Sequence, residues 1–212
     1  DMEKVNYSKK AWTSQPTQSI NYVSCHDDMM LTDRLKASMK LRPGEMHKLS
    51  KLAQTAVLTS QGMPFLWCGE EIARDKKGVH NSYCSPDDIN AIDWSLKAKN
   101  IDLFRYYQGL IALRKAHPAF HMGDADLVRA NVHFLPVEEG VVAYQLNGEA
   151  VGDSWKTIVV VLNSQTKTAQ VALPAGTYRF ACVDGQCPYY GERIAEATVR
   201  VAPQSAAILY LD

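Results

Sequence analysis

The chain has 212 residues, of which 46% are hydrophobic, so it can form the core of one large or two small domains. Its 23 basic and 23 acidic side chains balance, which excludes the basic surface of a nucleic-acid-binding protein and a basic run for a membrane surface. No apolar run approaches the roughly 18 residues that a membrane span requires. The chain starts at Asp-Met-Glu-Lys-Val without a signal segment; we expect an upstream part to be missing, and the compartment stays open.

The five cysteines are odd in number and irregular in spacing, which argues against a disulfide framework. No CxxC pair occurs, so we do not expect a zinc ribbon. Cys182 and Cys187 are close enough to close a small disulfide loop, and the sequence does not decide whether they do. We expect Cys25, Cys68 and Cys84 to be buried thiols.

Residues 1–120 alternate between strand and helix patterns. The pattern predicts an apolar strand at residues 20–24 and a helix that starts at Pro43-Gly44-Glu45 and continues with apolar residues at helical spacing to Val57. It also predicts a second buried strand at residues 63–68 and a helix at residues 101–116 that Pro118 ends. Buried strands linked by helices predict a parallel sheet, and the long polar stretch 74–93 between them predicts a ligand-facing loop.

Residues 121–212 consist of short β-type runs separated by turn residues. This pattern predicts an antiparallel sandwich or barrel. The predicted strands are residues 128–135, 141–146, 157–162, 169–173, 177–183, 197–201 and 206–211.

Three titratable residues, His26, Asp27 and Asp28, follow the first predicted strand directly. A carboxylate and an imidazole at a strand end can bind sugar hydroxyls and stabilise the oxocarbenium-like transition state of glycoside cleavage. The alternatives are a turn, a helix cap or a metal site; no second ligand cluster lies nearby, so we assign no metal. Glu70 and Glu71 follow the second strand, and a structural role is the simpler interpretation for them.

The stretch 81–90 combines amide, hydroxyl and carboxylate groups with the ring of Tyr83. Carbohydrate sites use this mixture of hydrogen-bonding groups and a flat ring. The same residue types are common turn formers, so composition alone does not separate the two interpretations.

Four segments together resemble the type I pullulanases of the α-amylase superfamily, glycoside hydrolase family 13. Residues 19–28 resemble the superfamily's signature at the end of barrel strand seven, and residues 58–71 resemble strand eight with its approach. Residues 81–94 are similar to the following loop of type I pullulanases, and residues 106–120 to helix eight. The resemblance implies an α/β plus all-β fold: residues 1–120 would be the last two βα units of a TIM (β/α)8 barrel, and residues 121–212 a C-terminal antiparallel β-sandwich.

The resemblance also implies hydrolysis of α-1,6-glucosidic bonds in pullulan, starch or glycogen by a retaining route. Asp27 would stabilise the transition state, and His26 would hydrogen-bond substrate hydroxyls. Asp28, where the family more often has Asn, would line the substrate cleft with Asn81, Tyr83 and Asp87. No cofactor is implied for this chain, and calcium is compatible with the parent enzyme. The implied partners are an α-glucan and the missing barrel portion, or a second copy through exposed strand edges.

The family's nucleophile and its acid/base glutamate lie on earlier barrel strands, so we expect this chain alone to be inactive. One alternative is a non-catalytic α-glucan-binding or structural module. Another is a different hydrolase of the superfamily, such as an isoamylase or an enzyme that acts on α-1,4 bonds. The Asn81-Ser82-Tyr83 loop argues against this last alternative.

Overall fold

A computed structural model describes residues 13–42 and 44–212 of the chain. Within these residues the helices and the strands separate along the sequence, with the long helices in the first half and an antiparallel sheet in the second. The helices are α1 (Leu31–Ser38), α2 (Glu45–Thr59), α3 (Asp87–Asn90), α4 (Ser95–Lys99), α5 (Ile101–Ala116) and α6 (Ala125–Asn131). None of these helices combines the length and the apolar character that crossing a membrane would need.

The two longest helices confirm the periodicity of the sequence. Helix α2 starts after Gly44, whose φ of 81° favours glycine, while the predicted start signal at Pro43 falls outside the described residues. Helix α5 ends before Pro118 as predicted. The two helices pack against each other, and buried Arg114 of α5 donates hydrogen bonds to the carbonyl groups that follow the last turn of α2.

Two short strands, β1 (Ile20–Asn21) and β2 (Met63–Pro64), pair in parallel and flank α1 and α2 in the sequence. The prediction of long buried strands at residues 20–24 and 63–68 was wrong in length and burial. Ile20 is 56% and Met63 is 47% exposed. Parallel strands are stabilised by neighbours on both sides, and each of these strands has one neighbour among the described residues.

The second half forms a six-stranded antiparallel sheet in the order β3-β4-β5-β10-β7-β8 and a two-stranded sheet, β6-β9. The predicted antiparallel β architecture is therefore confirmed, and the two sheets form a sandwich. The strands are β3 (Val132–Phe134), β4 (Val141–Asn147), β5 (Thr157–Asn163), β6 (Ala169–Ala172), β7 (Tyr178–Cys182), β8 (Ile194–Ala195), β9 (Thr198–Val201) and β10 (Ser205–Leu211).

The six-stranded sheet is buried on both faces, because its alternating side chains point to two different partners. One face packs against the two-stranded sheet, through residues such as Val159, Val161 and Leu209. The opposite face packs against α2 and α5. This second core includes Leu58, Tyr106, Leu110 and Leu113 from the helices and Tyr144, Leu146, Ile158 and Val160 from the sheet.

Several local predictions were wrong for identifiable reasons. The strand predicted at 128–135 begins only at Val132, because Asp124 accepts hydrogen bonds from the backbone NH groups of Asp126 and Leu127 and thereby starts helix α6. Helices α1, α3 and α4 and strand β8 were not predicted. Cys182 and Cys187 form the disulfide that the sequence left open. The prediction that the other three cysteines are buried was wrong, because Cys68 and Cys84 are exposed and Cys25 is partly exposed.

Candidate functional site

His26, Asp27 and Asp28 lie just beyond the carboxyl end of β1, on the surface of the described chain. Their side chains are largely exposed, 74% for His26 and 69% for Asp27. The imidazole Nε2 of His26 lies 3.3 Å from the carboxylate Oδ2 of Asp27. Asp28 has a φ of 64°, a left-handed conformation that Asp tolerates better than most residues.

Asp28 connects the segment after β1 with the loop after β2. Its carboxylate lies 3.1 Å from Nδ1 of His80 and 3.9 Å from the guanidinium of Arg34. His80 was not identified from the sequence, although it directly precedes the Asn81 loop. Two loops that follow neighbouring parallel strands therefore meet through one ion pair when His80 is protonated.

Asn81, Tyr83 and Asp87 lie in the loop that His80 opens, and all three are exposed. The ring of Tyr83 is 84% exposed, and Asp87 is the first residue of α3. Between the described residues, no hydrogen bond or ion pair joins these three side chains to His26 or Asp27. The structure thus brings His26 and Asp27 into direct contact and links Asp28 to His80, the residue before Asn81. Within the described residues it joins neither Tyr83 nor Asp87 to another candidate by a hydrogen bond or an ion pair.

A buried lysine, Lys76, is hydrogen-bonded to the loop that contains Asn81. Lys76 is 7% exposed, and its ammonium group donates a hydrogen bond of 2.6 Å to Oγ of Ser82. Desolvation lowers the pKa of Lys76 from its usual value. The carboxylate of Asp33, which is also buried, accepts hydrogen bonds from the backbone NH groups of Lys76 at 2.6 Å and Gly78 at 2.8 Å. Helix α1 thus fixes the course of the loop that carries the exposed ring.

A buried carboxyl group lies beneath the other half of the site. Glu70 is 2% exposed; it accepts a hydrogen bond from the hydroxyl of Ser24 and one of 2.7 Å from the amide of Gln54. Desolvation is the largest cause that raises the pKa of Glu70 to about 7. Glu71 instead accepts a hydrogen bond from the backbone NH of Gly69. The two adjacent acids therefore have different surroundings, and only Glu70 contacts the strand segment that leads to His26.

The described residues contain no group of three or more His, Cys, Asp or Glu side chains placed to hold a metal ion.

Comparisons with known proteins identify the relatives of this chain. Residues 128–186 match the family model of the pullulanase all-beta domain. A pullulanase of Bacillus subtilis is 36% identical over 171 residues, 79% of this chain and 24% of the relative. A pullulanase from Bacillus acidopullulyticus has the same fold with a TM-score of 0.90 at 37% identity, over 93% of this chain and 24% of that one.

A second solved structure is the complex of an Anoxybacillus pullulanase with maltotriose, with a TM-score of 0.85 at 37% identity over 94% of this chain and 28% of that one. The chain spans only about a quarter of the length of these relatives, with shares of 24% to 28%. It belongs to the pullulanase family, and its partial coverage of those enzymes is consistent with a C-terminal portion.

Proposed function

We propose that this chain is the C-terminal part of a debranching enzyme that hydrolyses α-1,6-glucosidic bonds in pullulan, starch or glycogen. The observation that carries this proposal is the likeness to pullulanase structures over 93% of the chain at a TM-score of 0.90. The Anoxybacillus pullulanase of this fold was crystallised with maltotriose and, separately, with maltotetraose, which supports an α-glucan as the ligand here.

The proposal assigns residues 1–120 to the last two βα units of a (β/α)8 barrel and residues 121–212 to the β-sandwich domain. The parallel pairing of β1 and β2, which flank α2 in the sequence, supports this assignment. In such barrels the active site forms at the carboxyl ends of the strands, where His26 and Asp27 lie. The exposed apolar residues of the two strands, Ile20 and Met63 among them, would be covered by the rest of the barrel.

In the proposed reaction Asp27 stabilises the positive charge that develops at the sugar ring, and His26 donates a hydrogen bond to a hydroxyl at the cleavage point. Asp28, Asn81, Tyr83 and Asp87 bind neighbouring glucose units, with Tyr83 offering a ring face to their C–H groups. A retaining mechanism also requires a nucleophile and an acid/base, two carboxyl groups about 5 Å apart. We assign this pair to earlier barrel strands of the complete enzyme. We assign no cofactor to this chain, and a calcium ion would bind elsewhere in the complete enzyme.

The test uses the complete enzyme that contains this chain. The variant Asp27→Asn should lose about 100-fold or more in kcat on pullulan, because it removes a charge aimed at the transition state. Its thermal stability should be unchanged, since this side chain is 69% exposed. The control Asp126→Asn removes an acid that is 86% exposed on α6 and should keep full activity.

Retention of normal kcat by Asp27→Asn would overturn the assigned role. Cleavage confined to α-1,4 bonds would indicate a different hydrolase of the superfamily, and glucan binding without turnover would indicate a non-catalytic module. The purified 212-residue chain alone should release no reducing sugar from pullulan. Release that disappears in Asp27→Ala would contradict this expectation.

A further inference from the structure

The segment between β1 and α1 has little backbone support. No backbone hydrogen bond joins residues 22–28 to any other part of the chain that the structure describes. Ser24 is the one buried residue of this segment, 5% exposed, while His26 and Asp27 are exposed. The position of His26 and Asp27 therefore depends on side-chain contacts on either side of them.

Polar side-chain contacts lie on both sides of His26 and Asp27, and they differ in strength. Earlier in the segment the ring of Tyr22 also packs edge-on against that of Phe65, with 6.2 Å between the ring centroids. On one side Asp28 contacts His80 and Arg34, but Asp28 is 58% and His80 is 66% exposed, and exposed ion pairs contribute little. On the other side the hydroxyl of Ser24 donates to the carboxyl group of Glu70, and both residues are buried. Burial and a charge-assisted hydrogen bond make this second contact the stronger one.

We propose that Glu70 is a positioning residue, which holds the segment with His26 and Asp27 in register through the hydroxyl of Ser24. This role rests on the proposed function, because it serves the charge stabilisation assigned to Asp27. Glu70 is held in place in turn by two features. It is the first residue of a single helical turn that follows Gly69, and its carboxyl group accepts a hydrogen bond from the amide of Gln54, a fully buried residue of α2. The chain of contacts thus runs from α2 through Glu70 and Ser24 to the candidate site.

The neighbours of Glu70 allow it to exist in two protonation states. Oε1 of Gln54 is buried and has no partner among the described residues. A flip of the Gln54 amide would present this oxygen to a protonated Glu70 or to Gln at the same position. Burial and the charge of Glu71 raise the pKa of Glu70 to about 7. Burial also raises the pKa of Tyr107 on α5, and the charge of Glu70 adds to this effect. The isosteric variant Glu70→Gln is therefore compatible with folding.

The catalytic arm of the test uses the complete enzyme and pullulan. Ser24→Ala should lower kcat by about 10- to 100-fold with KM changed less than about twofold, because it misplaces a group that acts only in the transition state. Glu70→Gln keeps an oxygen that accepts from Ser24 but loses the charge that strengthens this hydrogen bond, so it should lower kcat by less than Ser24→Ala does. Ser24→Thr, which keeps the hydroxyl, should recover most of kcat. In Glu70→Gln an ionisation near pH 7 should also disappear from the pH profile of kcat.

The matched control is Thr55→Val, which removes a different buried hydroxyl. Thr55 lies on α2 and does not contact the segment of residues 22–28. Thr55 is 0% exposed, and its hydroxyl contacts that of Tyr106 at 2.8 Å. This variant should lower thermal stability and leave kcat unchanged. If Ser24→Ala behaves like Thr55→Val, Ser24 and Glu70 have only a structural role and the proposal is wrong.

A second arm requires no catalysis and therefore separates this proposal from the proposed function. Backbone ¹⁵N order parameters of residues 24–27 in the full 212-residue chain should fall from about 0.85 to below about 0.6 in Ser24→Ala and stay high in Thr55→Val. Unchanged order parameters would overturn the positioning role whatever the enzyme cleaves.

A complete enzyme that leaves α-1,6 bonds intact would overturn the proposed function, and with it the catalytic purpose of the contact. Order parameters that fall without any change in kcat would overturn the positioning role as well.

Discussion

Glu70 is buried with neutral hydrogen-bond donors, and no cation among the described residues pairs with it, so its charge is costly in the folded state. The hydroxyl of Ser24 and the amide of Gln54 favour the ionised form, but desolvation outweighs them and raises the pKa of the carboxyl group from 4.5 to about 7. A group whose pKa is higher in the folded state binds its proton more tightly there. Protonation of Glu70 is therefore linked to the stability of the whole chain.

This linkage gives the first prediction, which concerns Glu70→Gln. Between pH 4.5 and 7 the folded protein keeps a proton that the unfolded protein releases, so the free energy of unfolding falls as the pH rises through this window. In Glu70→Gln the side chain does not titrate, so this decrease in the free energy of unfolding does not occur. Its free energy of unfolding relative to the unchanged protein should rise by about 3 kcal/mol between pH 4.5 and pH 8, as the shift to about 7 requires.

Urea denaturation at several pH values from 4.5 to 8 measures this difference. Glu139→Gln, which changes an exposed acid, serves as the control and should give a difference that does not vary with pH. A flat difference for Glu70→Gln as well would mean that Glu70 is ionised at no cost in the folded protein.

The sequence could indicate the acids of this region but not their environments. Glu70 and Glu71 are neighbours of the same type, and only the fold separates a buried carboxyl group from one that binds the backbone NH of Gly69. Ser24 and Gln54 lie 46 and 16 residues from Glu70 in the sequence. No local pattern connects residues at such separations, so the Ser24–Glu70 contact could not be predicted. The position of His26 and Asp27 after strand β1 could be predicted, because they follow an apolar run in the sequence.

At the scale of elements, α5 supplies the cap for the end of α2. The guanidinium of Arg114 donates hydrogen bonds to the carbonyl oxygens of Leu58 at 2.9 Å, Ser60 at 2.8 Å and Gly62 at 2.7 Å. These carbonyl groups belong to the last turn of α2 and the residues after it, and carbonyl groups there have no partner within the helix. Arg114 is 7% exposed, so water cannot easily replace it.

The second prediction follows for Arg114→Met, which keeps the length of the side chain and removes its donors. The free energy of unfolding should decrease by about 3 kcal/mol, because three carbonyl groups lose a charged donor in a buried place. Chemical denaturation measures the change. Lys115→Met alters the adjacent exposed residue and should change stability by less than about 0.5 kcal/mol. Equal effects of the two substitutions would show that Arg114 does not cap α2.

Elements with a long, regular pattern were predictable, and short ones were not. Helices α2 and α5 have 15 and 16 residues with apolar positions at helical spacing, and both were found in the sequence. Helix α6 has only seven residues, and its sequence from Val128 onward fits the start of a strand. Asp124 was the available signal, since an N-cap Asp outweighs the β propensity of one valine. Strand β1 was overestimated because its sequence is apolar, although pairing stops after Asn21.

At the scale of the whole molecule, the core does not divide where the two sequence patterns meet. Tyr144 of β4 donates a hydrogen bond of 2.6 Å to the hydroxyl of Thr59 on α2. Asp153, whose side chain is fully buried, lies 2.7 Å from Nδ1 of His117 and accepts a hydrogen bond from the backbone NH of Ala119. The change of pattern near residue 120 was visible in the sequence. The shared core was not, because alternation in a strand shows that two faces exist but not what covers each of them.

The last prediction tests the proposed boundary between residues 120 and 121. A fragment of residues 121–212 keeps the core between the two sheets but exposes the face with Tyr144, Leu146, Ile158 and Val160 that α2 and α5 cover in the full chain. An exposed apolar sheet face favours association and loose packing. The fragment should therefore bind the dye ANS, lose near-ultraviolet circular dichroism and unfold without a sharp transition, whereas the full chain should show one transition by tryptophan fluorescence and by helical circular dichroism. A monomeric fragment with a sharp transition and no dye binding would show instead that the sandwich folds alone and that the helices only rest on it.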